Sequence, residues 1–495
     1  MNAGSAASGT LRNLAGAAFA ALLVWAPLNF GSTRAGGPEL LAAGCAAATL
    51  LWAAAWICGG PAPQVQPIVV ATATVLVVAV LPWSLGLYHA TPVLPFTQAH
   101  FNRVAARWPS SIVWREPAGT AAFAIALAAA VVPLTDLARV RRWRLIFSGT
   151  LAATAVLVAG LALAQNFTHA PGIYWRDEGR LPGNFCGTFF HHTSAGAYFN
   201  TAWPLAFALT WLAWDRAPAA RLRTAAAVAA GLGTVLLLAG HGSHVSRFPQ
   251  AAALLVTPLL LTGLPARRNG RIAPGLLALG AVAAIVALIA VAGRTRDIAT
   301  RWQLAFAGPG PAAAGAPPSP AEWPALMRAD LFVPYTFSTG LLGVRLEGWR
   351  TALRSIADRP LTGHGPANWM GAASRHSIDP FVRTFYQFLQ FAHQDTLQSA
   401  VELGLPAALA WWALLLGGAL AAFRPARNTS RSRRLLARAA GCGLVAVLLQ
   451  AQMDFPLQIP AVALNVAVLA ALAWAGRVSP DLRSAGVAAS RPCIT

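Results

Sequence analysis

Histidine, carboxylate and amide side chains crowd one stretch of this chain, from His393-Gln394-Asp395 through Gln398 to Glu402, just ahead of an apolar run that continues from Gly404-Leu405-Pro406. On a helix, Asp395, Gln398 and Glu402 fall at i, i+3 and i+7 and share one face. Ionisable groups at the mouth of an apolar helix are costly unless paired or wet, which marks the stretch as a candidate site. A helix cap with a polar patch packed between helices would use the same residues. His393 is the side chain that could take or hold a proton near neutral pH. Two arginines join it. Arg247 stands where the tight turn from Gly240 through His241 and His244 enters an apolar run, with no acid near it in sequence. Arg345 opens an amphipathic segment. A planar, always-charged guanidinium suits a phosphate or diphosphate better than an ammonium does. Their ordinary uses are snorkelling at an interface for Arg247 and a solvated helix face for Arg345.

Other chemistries find no support. His191-His192 and the His241/His244 pair are not spaced with carboxylates as metal ligands are. The five cysteines, Cys45, Cys58, Cys186, Cys442 and Cys493, are scattered and imply neither a metal site nor a disulfide framework. No nucleotide-binding glycine loop is present, and Gly363-His364-Gly365 neither follows a strand nor opens a helix in a βαβ unit. No metal and no cofactor is expected.

The elements that must position these residues are membrane helices. The chain has 495 residues with only 11% charged, and its mean hydropathy is +0.55. About twelve stretches are long enough to cross the hydrocarbon core of a bilayer. They are 13–31, 38–58, 65–85, 118–136, 145–165, 196–214, 224–240, 248–264, 274–292, 397–422, 439–453 and 459–476. The first, after the short, nearly uncharged Met1 to Thr10, reads as a retained span and not as a signal peptide. The net charge of +21 comes from arginine alone, and the positive-inside rule explains it better than nucleic acid would. With the N-terminus inside, the cytoplasmic segments hold 20 arginines and three acids, the other side 17 arginines and 13 acids. Both termini are therefore expected in the cytoplasm.

The expected fold is an all-α polytopic membrane protein. Residues 1–292 carry spans one to nine, 293–396 form a large periplasmic loop, 397–476 carry spans ten to twelve, and 477–495 are a cytoplasmic tail. Outer segments include a Pro- and Trp-bearing loop at 86–117 and a loop at 166–195. Within the large loop, 305–324 is a Pro/Gly/Ala-rich insert. After it comes an amphipathic helix ending at Pro360, with Leu346, Trp349, Leu353 and Ile356 as its apolar stripe and Arg345, Arg350, Arg354 and Asp358 as its polar one. Such a helix would lie along the membrane surface. Phe381, Phe385, Tyr386, Phe388 and Phe391 then crowd before His393, as core packing or as a platform for sugar rings or lipid.

Four motifs in order resemble the O-antigen ligase and polymerase superfamily of bacterial membrane glycosyltransferases. They are Ser246-Arg247; Arg345 through Trp349-Arg350 to Pro360-Leu361-Thr362-Gly363-His364-Gly365-Pro366; His393-Gln394 followed after nine residues by Gly404; and Asp454-Phe455-Pro456-Leu457 with Ile459-Pro460. The chain departs from the family pattern at Ala407, at Phe248-Pro249 after Arg247, and at His191-His192-Thr193-Ser194. The resemblance implies transfer of a glycan from undecaprenyl diphosphate to an acceptor on the periplasmic face of the inner membrane, with inversion and without metal. It implies His393, Arg345 and Arg247 as catalytic residues, the arginines clamping the diphosphate and His393 activating the acceptor hydroxyl, oriented by Glu402 or Asp395. Arg350, Gln394, Asp395, Glu402 and Trp349 are expected to contact substrate. Expected partners are the lipid-linked glycan donor, a lipid A core or other glycan acceptor, and membrane lipids, with no nucleic acid. A ligase is preferred to a polymerase that extends the lipid-linked glycan. A protein-directed oligosaccharyltransferase, a solute transporter and a structural scaffold are the other readings. A transporter should place its polar residues at the bilayer midplane on broken helices.

Overall fold

The computed structural model describes residues 3–85, 89–92, 110–113, 117–176, 185–216, 220–244, 246–262, 343–376, 391–426 and 429–477. The expected span 274–292, the insert 305–324, the aromatic residues Phe381, Phe385, Tyr386 and Phe388, and the tail beyond 477 lie outside the described residues. Among those described the helices are α1 (Ala3–Leu28), α2 (Gly37–Ile57), α3 (Pro67–Ser84), α4 (Pro117–Arg139), α5 (Arg141–Phe167), α6 (His192–Arg216), α7 (Ala220–Ser243) and α8 (Arg247–Leu261). They continue with α9 (Gly343–Asp358), α10 (Trp369–His376), α11 (Asp395–Phe423), α12 (Arg431–Gln450) and α13 (Pro460–Ala475). Every expected span within the described residues falls on one of these helices. Six are long and apolar enough to cross a membrane: Ala6–Leu28, Gly37–Ile57, Pro67–Ser84, Gly119–Arg139, Arg141–Phe167 and Asp395–Phe423. Ala227–Ser243, Arg247–Leu261 and Pro460–Ala475 are shorter apolar helices. The chain is thus a predominantly helical, multi-pass membrane protein.

The 86–117 connection holds a parallel pairing of two four-residue strands, β1 (His89–Pro92) and β2 (Ser110–Val113), within an otherwise helical fold. One expectation needs correction. The turn expected from Gly240 onward is shorter than its glycines suggested, because α7 runs on through Ser243. His244 then makes the turn, its ring Nδ1 accepting the Ser246 backbone N–H at 3.2 Å and its carbonyl accepting from Gln250 Nε2 at 2.9 Å.

α13 is the centre of the bundle. Pro460 pre-sets its first turn, and all its residues from Pro460 to Ala475 are buried. It packs against α1, α4, α6, α11 and α12. A helix apolar on every face belongs inside other helices, which explains how 16 residues suffice here. Its polar side chain Asn465 donates from Nδ2 to Thr201 Oγ1 at 2.9 Å. Gly417 and Gly418 on α11 leave room for the Trp474 ring, whose indole N–H reaches the Leu414 carbonyl at 3.0 Å.

The two ends of the bundle differ in chemistry. At one end arginines hold helix termini. Arg12 pairs with Asp136 at 2.6 Å, and Trp52 Nε1 donates to the same carboxylate at 2.9 Å. Arg433 donates to the last carbonyl of α13, Ala475, and Arg438 donates to the Leu259 carbonyl at 2.8 Å near the end of α8. Cations are favoured there by the partial negative charge of helix C-termini. At the opposite end Tyr174 Oη donates to the Leu28 carbonyl at 2.6 Å, and Phe30 stacks on Phe190 at 5.3 Å. The start of α11 and the residues between α12 and α13 meet at that second end, and with them the histidines.

Candidate functional site

α11 is two helices joined at a break. Gly404 has φ 78° and ψ 162°, a conformation open essentially to glycine alone. Pro406 has no N–H, so the break leaves the Val401 and Glu402 carbonyls without their helical donors. The turn after α9 supplies them. His364 N–H donates to Val401 O at 2.8 Å and Gly365 N–H to Glu402 O at 3.0 Å, while Leu405 N–H turns to Pro360 O at 2.7 Å. A side chain at Gly363 or Gly404 would collide with the opposing backbone, at Glu402 O or Leu361 O. The two short glycine motifs, distant in sequence, are therefore the two halves of one backbone-to-backbone joint.

That joint fixes the carboxylates. Glu402 accepts from the backbone N–H groups of Ala367 at 3.0 Å and Trp369 at 3.3 Å, and from Gln398 Nε2 at 3.0 Å. It takes up free N–H groups at the start of α10. Asp395 accepts from Leu457 N–H at 2.8 Å and Gln458 Nε2 at 3.0 Å, while its own N–H donates to Ala451 O at 2.8 Å. Gln394 caps α11 by accepting the Leu397 N–H and donates to Gln452 Oε1 at 3.1 Å. Together Gln394 and Asp395 tie the start of α11 to residues 451–458.

Within that tied loop stands Asp454, and it is the partner of His393. His393, held at φ 52°, places Nδ1 3.6 Å from Asp454 Oδ1, and its ring meets Phe455 edge-on at 4.9 Å. Gln450 Nε2 donates to the other oxygen, Oδ2, at 3.3 Å. Arg345, in the first turn of α9, donates from Nε to Met453 O at 3.2 Å, and its guanidinium lies over the Phe248 ring at 5.6 Å. Burial by itself would raise the Asp454 carboxyl, but His393 together with His191 and Arg345 outweighs it and brings the group down to about 2. Burial acts on Arg345 in the opposite sense, and Asp454 resists that effect. A buried carboxylate thus lies in the field of two imidazoles and one guanidinium.

The sequence-derived residues are distributed as follows. His393 and Arg345 converge on Asp454. Arg247 opens α8 next to Phe248, the residue beneath Arg345, so all three stand at the same end of the bundle, at helix starts and not at mid-span. The oxygens of Asp395 and Glu402 accept from the neighbours above, and the carboxylate beside His393 Nδ1 is Asp454; Asp395 and Glu402 both line the adjoining cavity. Trp349 is half-buried and Arg350 exposed on α9. The stripe assigned to that helix is also different. Gly348, Thr351, Ala352 and Ser355 form its buried face, Ile356 packs beside Ala352, and Leu353 is 58% exposed. Small residues allow close packing on α10 and α11, and choosing the largest apolar residues missed that face. Asp454 was visible only as part of a motif. The signal that could have found it is its spacing, four residues after Gln450, as the one acid in an apolar stretch between two helices.

The fold and site define a class: a multi-pass helical membrane protein with a histidine–carboxylate pair and arginines at one end of its bundle. Residues 232–412, from α7 into α11, match the family described as O-antigen ligase, and this supports membership of the O-antigen ligase and polymerase superfamily. The match takes in Arg247, Arg345, His393 and Gly404, and ends before Asp454. No curated protein matches the chain.

Proposed function

We propose that the protein transfers a glycan from a polyprenyl diphosphate to an acceptor sugar hydroxyl at the periplasmic face of the inner membrane, in the manner of an O-antigen ligase. The observation that carries the reading is the convergence of His393 and Arg345 on buried Asp454, beside the helix start that bears Arg247. With Asp454 3.6 Å from Nδ1, the tautomer carrying its proton on Nδ1 is the favoured one, and it leaves Nε2 as the base. Nε2 takes the acceptor proton as its oxygen forms the new bond to the anomeric carbon. The bond from that carbon to the diphosphate oxygen breaks in the same displacement, which inverts the centre. The leaving diphosphate carries the growing negative charge, and Arg345 and Arg247 stabilise it. The residues at the site supply an acid–base group and fixed cations, and this chemistry needs no more from the protein.

The test is transfer by purified protein from an undecaprenyl-diphosphate-linked glycan. Arg247→Ala and Arg345→Ala should each lose turnover by about a hundredfold or more while eluting as folded protein in detergent. Activity in both at the unsubstituted level would refute the assignment. Product analysis separates ligase from polymerase: glycan on a lipid A core sugar, or a longer glycan still on its carrier.

A further inference from the structure

The turn His191-His192-Thr193-Ser194, where the chain departs from the family pattern, has no part in the transfer as described, yet it is fastened to the carboxylate beside His393. Gln450, buried at the end of α12, is the fastening. Its Nε2 donates to Thr193 O at 3.0 Å and to Asp454 Oδ2 at 3.3 Å. Within the turn, the His191 carbonyl accepts the N–H groups of Ser194 at 3.1 Å and Ala195 at 3.2 Å, and so anchors the first turn of α6. The Thr193 hydroxyl lies 2.7 Å from His191 Nδ1 and holds the ring by a hydrogen bond. That ring stacks on His192 at 4.6 Å and tilts against Phe455 at 5.8 Å, while Phe455 meets the His393 ring edge-on at 4.9 Å. Phe455, the residue after Asp454, is therefore the ring neighbour of both imidazoles.

Two imidazoles in the field of one carboxylate do not titrate independently. Asp454 steadies positive charge on His393, and a proton on His191 draws on the same carboxylate and repels a proton on His393. His191 is among the groups that hold the Asp454 carboxyl low, with His393 and Arg345. The other charged or titratable groups around the pair, among the described residues, are His192 beside His191, Asp395 and Glu402 on α11, and Arg34 in the wall of the cavity that His191 also lines. All of these stay in place when His191 alone is substituted, so the change then reports His191. We infer that His191 is a positioning residue of the transfer site, a second imidazole that shares Asp454 with His393 and sets the pH range in which His393 is able to take a proton. The inference rests on the reading above that His393 is the base. In this role His191 touches none of the reacting atoms and acts through Asp454.

A titration without turnover tests this apart from the transfer reading. Full-length protein with its histidines labelled at Cε1 is titrated in detergent, and NMR follows the His393 and His191 rings, each assigned by the loss of its signal on substitution. In the unsubstituted protein each ring should report the other's titration as a second inflection. In His191→Asn, whose amide keeps a hydrogen-bonding group for Thr193, the His393 midpoint should rise by about half a pH unit or more. His191→Lys keeps a cation there and should hold the His393 midpoint at or below its original place. The acid limb of kcat/KM for glycan transfer should follow the same order, so that one pH unit below the original limb His191→Asn turns over about threefold more slowly. Independent single inflections in the unsubstituted protein would overturn the inference, whether or not the variants fold. So would an unchanged His393 midpoint in His191→Asn, or an equal rise in His191→Asn and His191→Lys, which a merely structural role predicts. Coupled titration in a protein that transfers no glycan would sustain the shared carboxylate while ending the proposed activity.

Discussion

Asp454 is the residue on which the site turns, and its neighbours make opposite demands on it. Burial favours the neutral acid, yet two histidines and Arg345 keep it ionised. Its folded-state value, about 2, lies below the ordinary 3.8, so its contribution to stability is present above pH 4 and lost as the pH falls toward 2. That contribution is about 2 kcal/mol. Thermal unfolding in detergent across this range should show a fall in Tm for the unsubstituted protein that Asp454→Asn lacks; parallel curves would contradict the assignment. In catalysis Asp454→Asn should lower kcat by about a hundredfold or more, with KM changed little, because the amide presents the wrong partner to Nδ1. Glu402→Gln should instead lower Tm while kcat stays within about threefold. The reverse pattern would return the orienting role to Glu402. Residue type and position single out His393 and Arg345 as candidates, and the family resemblance adds their roles. They do not single out Asp454, because its partners lie in segments about 60 and 110 residues away, and only the tie from Asp395 to Leu457 and Gln458 brings them together.

At the scale of elements, the broken helix α11 is what holds the site in register. Gly404 needs a conformation that a Cβ forbids, and the turn at Pro360 to Gly365 lies too close to admit one. Gly404→Ala should therefore cost at least about 1–3 kcal/mol and lower turnover as well, since His393 stands at the start of the same helix. Thermal unfolding and transfer rate measured on the same sample would check both; a Tm equal to that of the unsubstituted protein would contradict the joint. The glycines were readable as motifs, but not as partners. What pairs them is a backbone contact, which leaves no pattern of apolar periodicity. The same reason explains α9, whose buried face is built from Gly348, Thr351, Ala352 and Ser355 and escapes a search for large apolar residues.

For the whole molecule, helix positions were the most legible feature, because apolar runs of membrane length have few other uses. Orientation follows from charge: the end where Arg12, Arg433 and Arg438 hold helix termini is expected in the cytoplasm, and the His393 end outside. A membrane-impermeant maleimide should then label Ala35→Cys in intact cells, and exposed Cys58 only after permeabilisation; the opposite labelling would invert the topology. What the sequence could not convey is which helix sits at the centre. α13 is among the shortest apolar helices and the most completely enclosed, and burial of that kind is decided by its neighbours. The account comes down to one imidazole, and the most direct measurement is single-turnover glycan transfer from a purified undecaprenyl-diphosphate donor by the His393→Ala protein. Transfer slowed by about a thousandfold or more, with donor still bound and the fold intact, is the predicted result; transfer at the unsubstituted rate would contradict it.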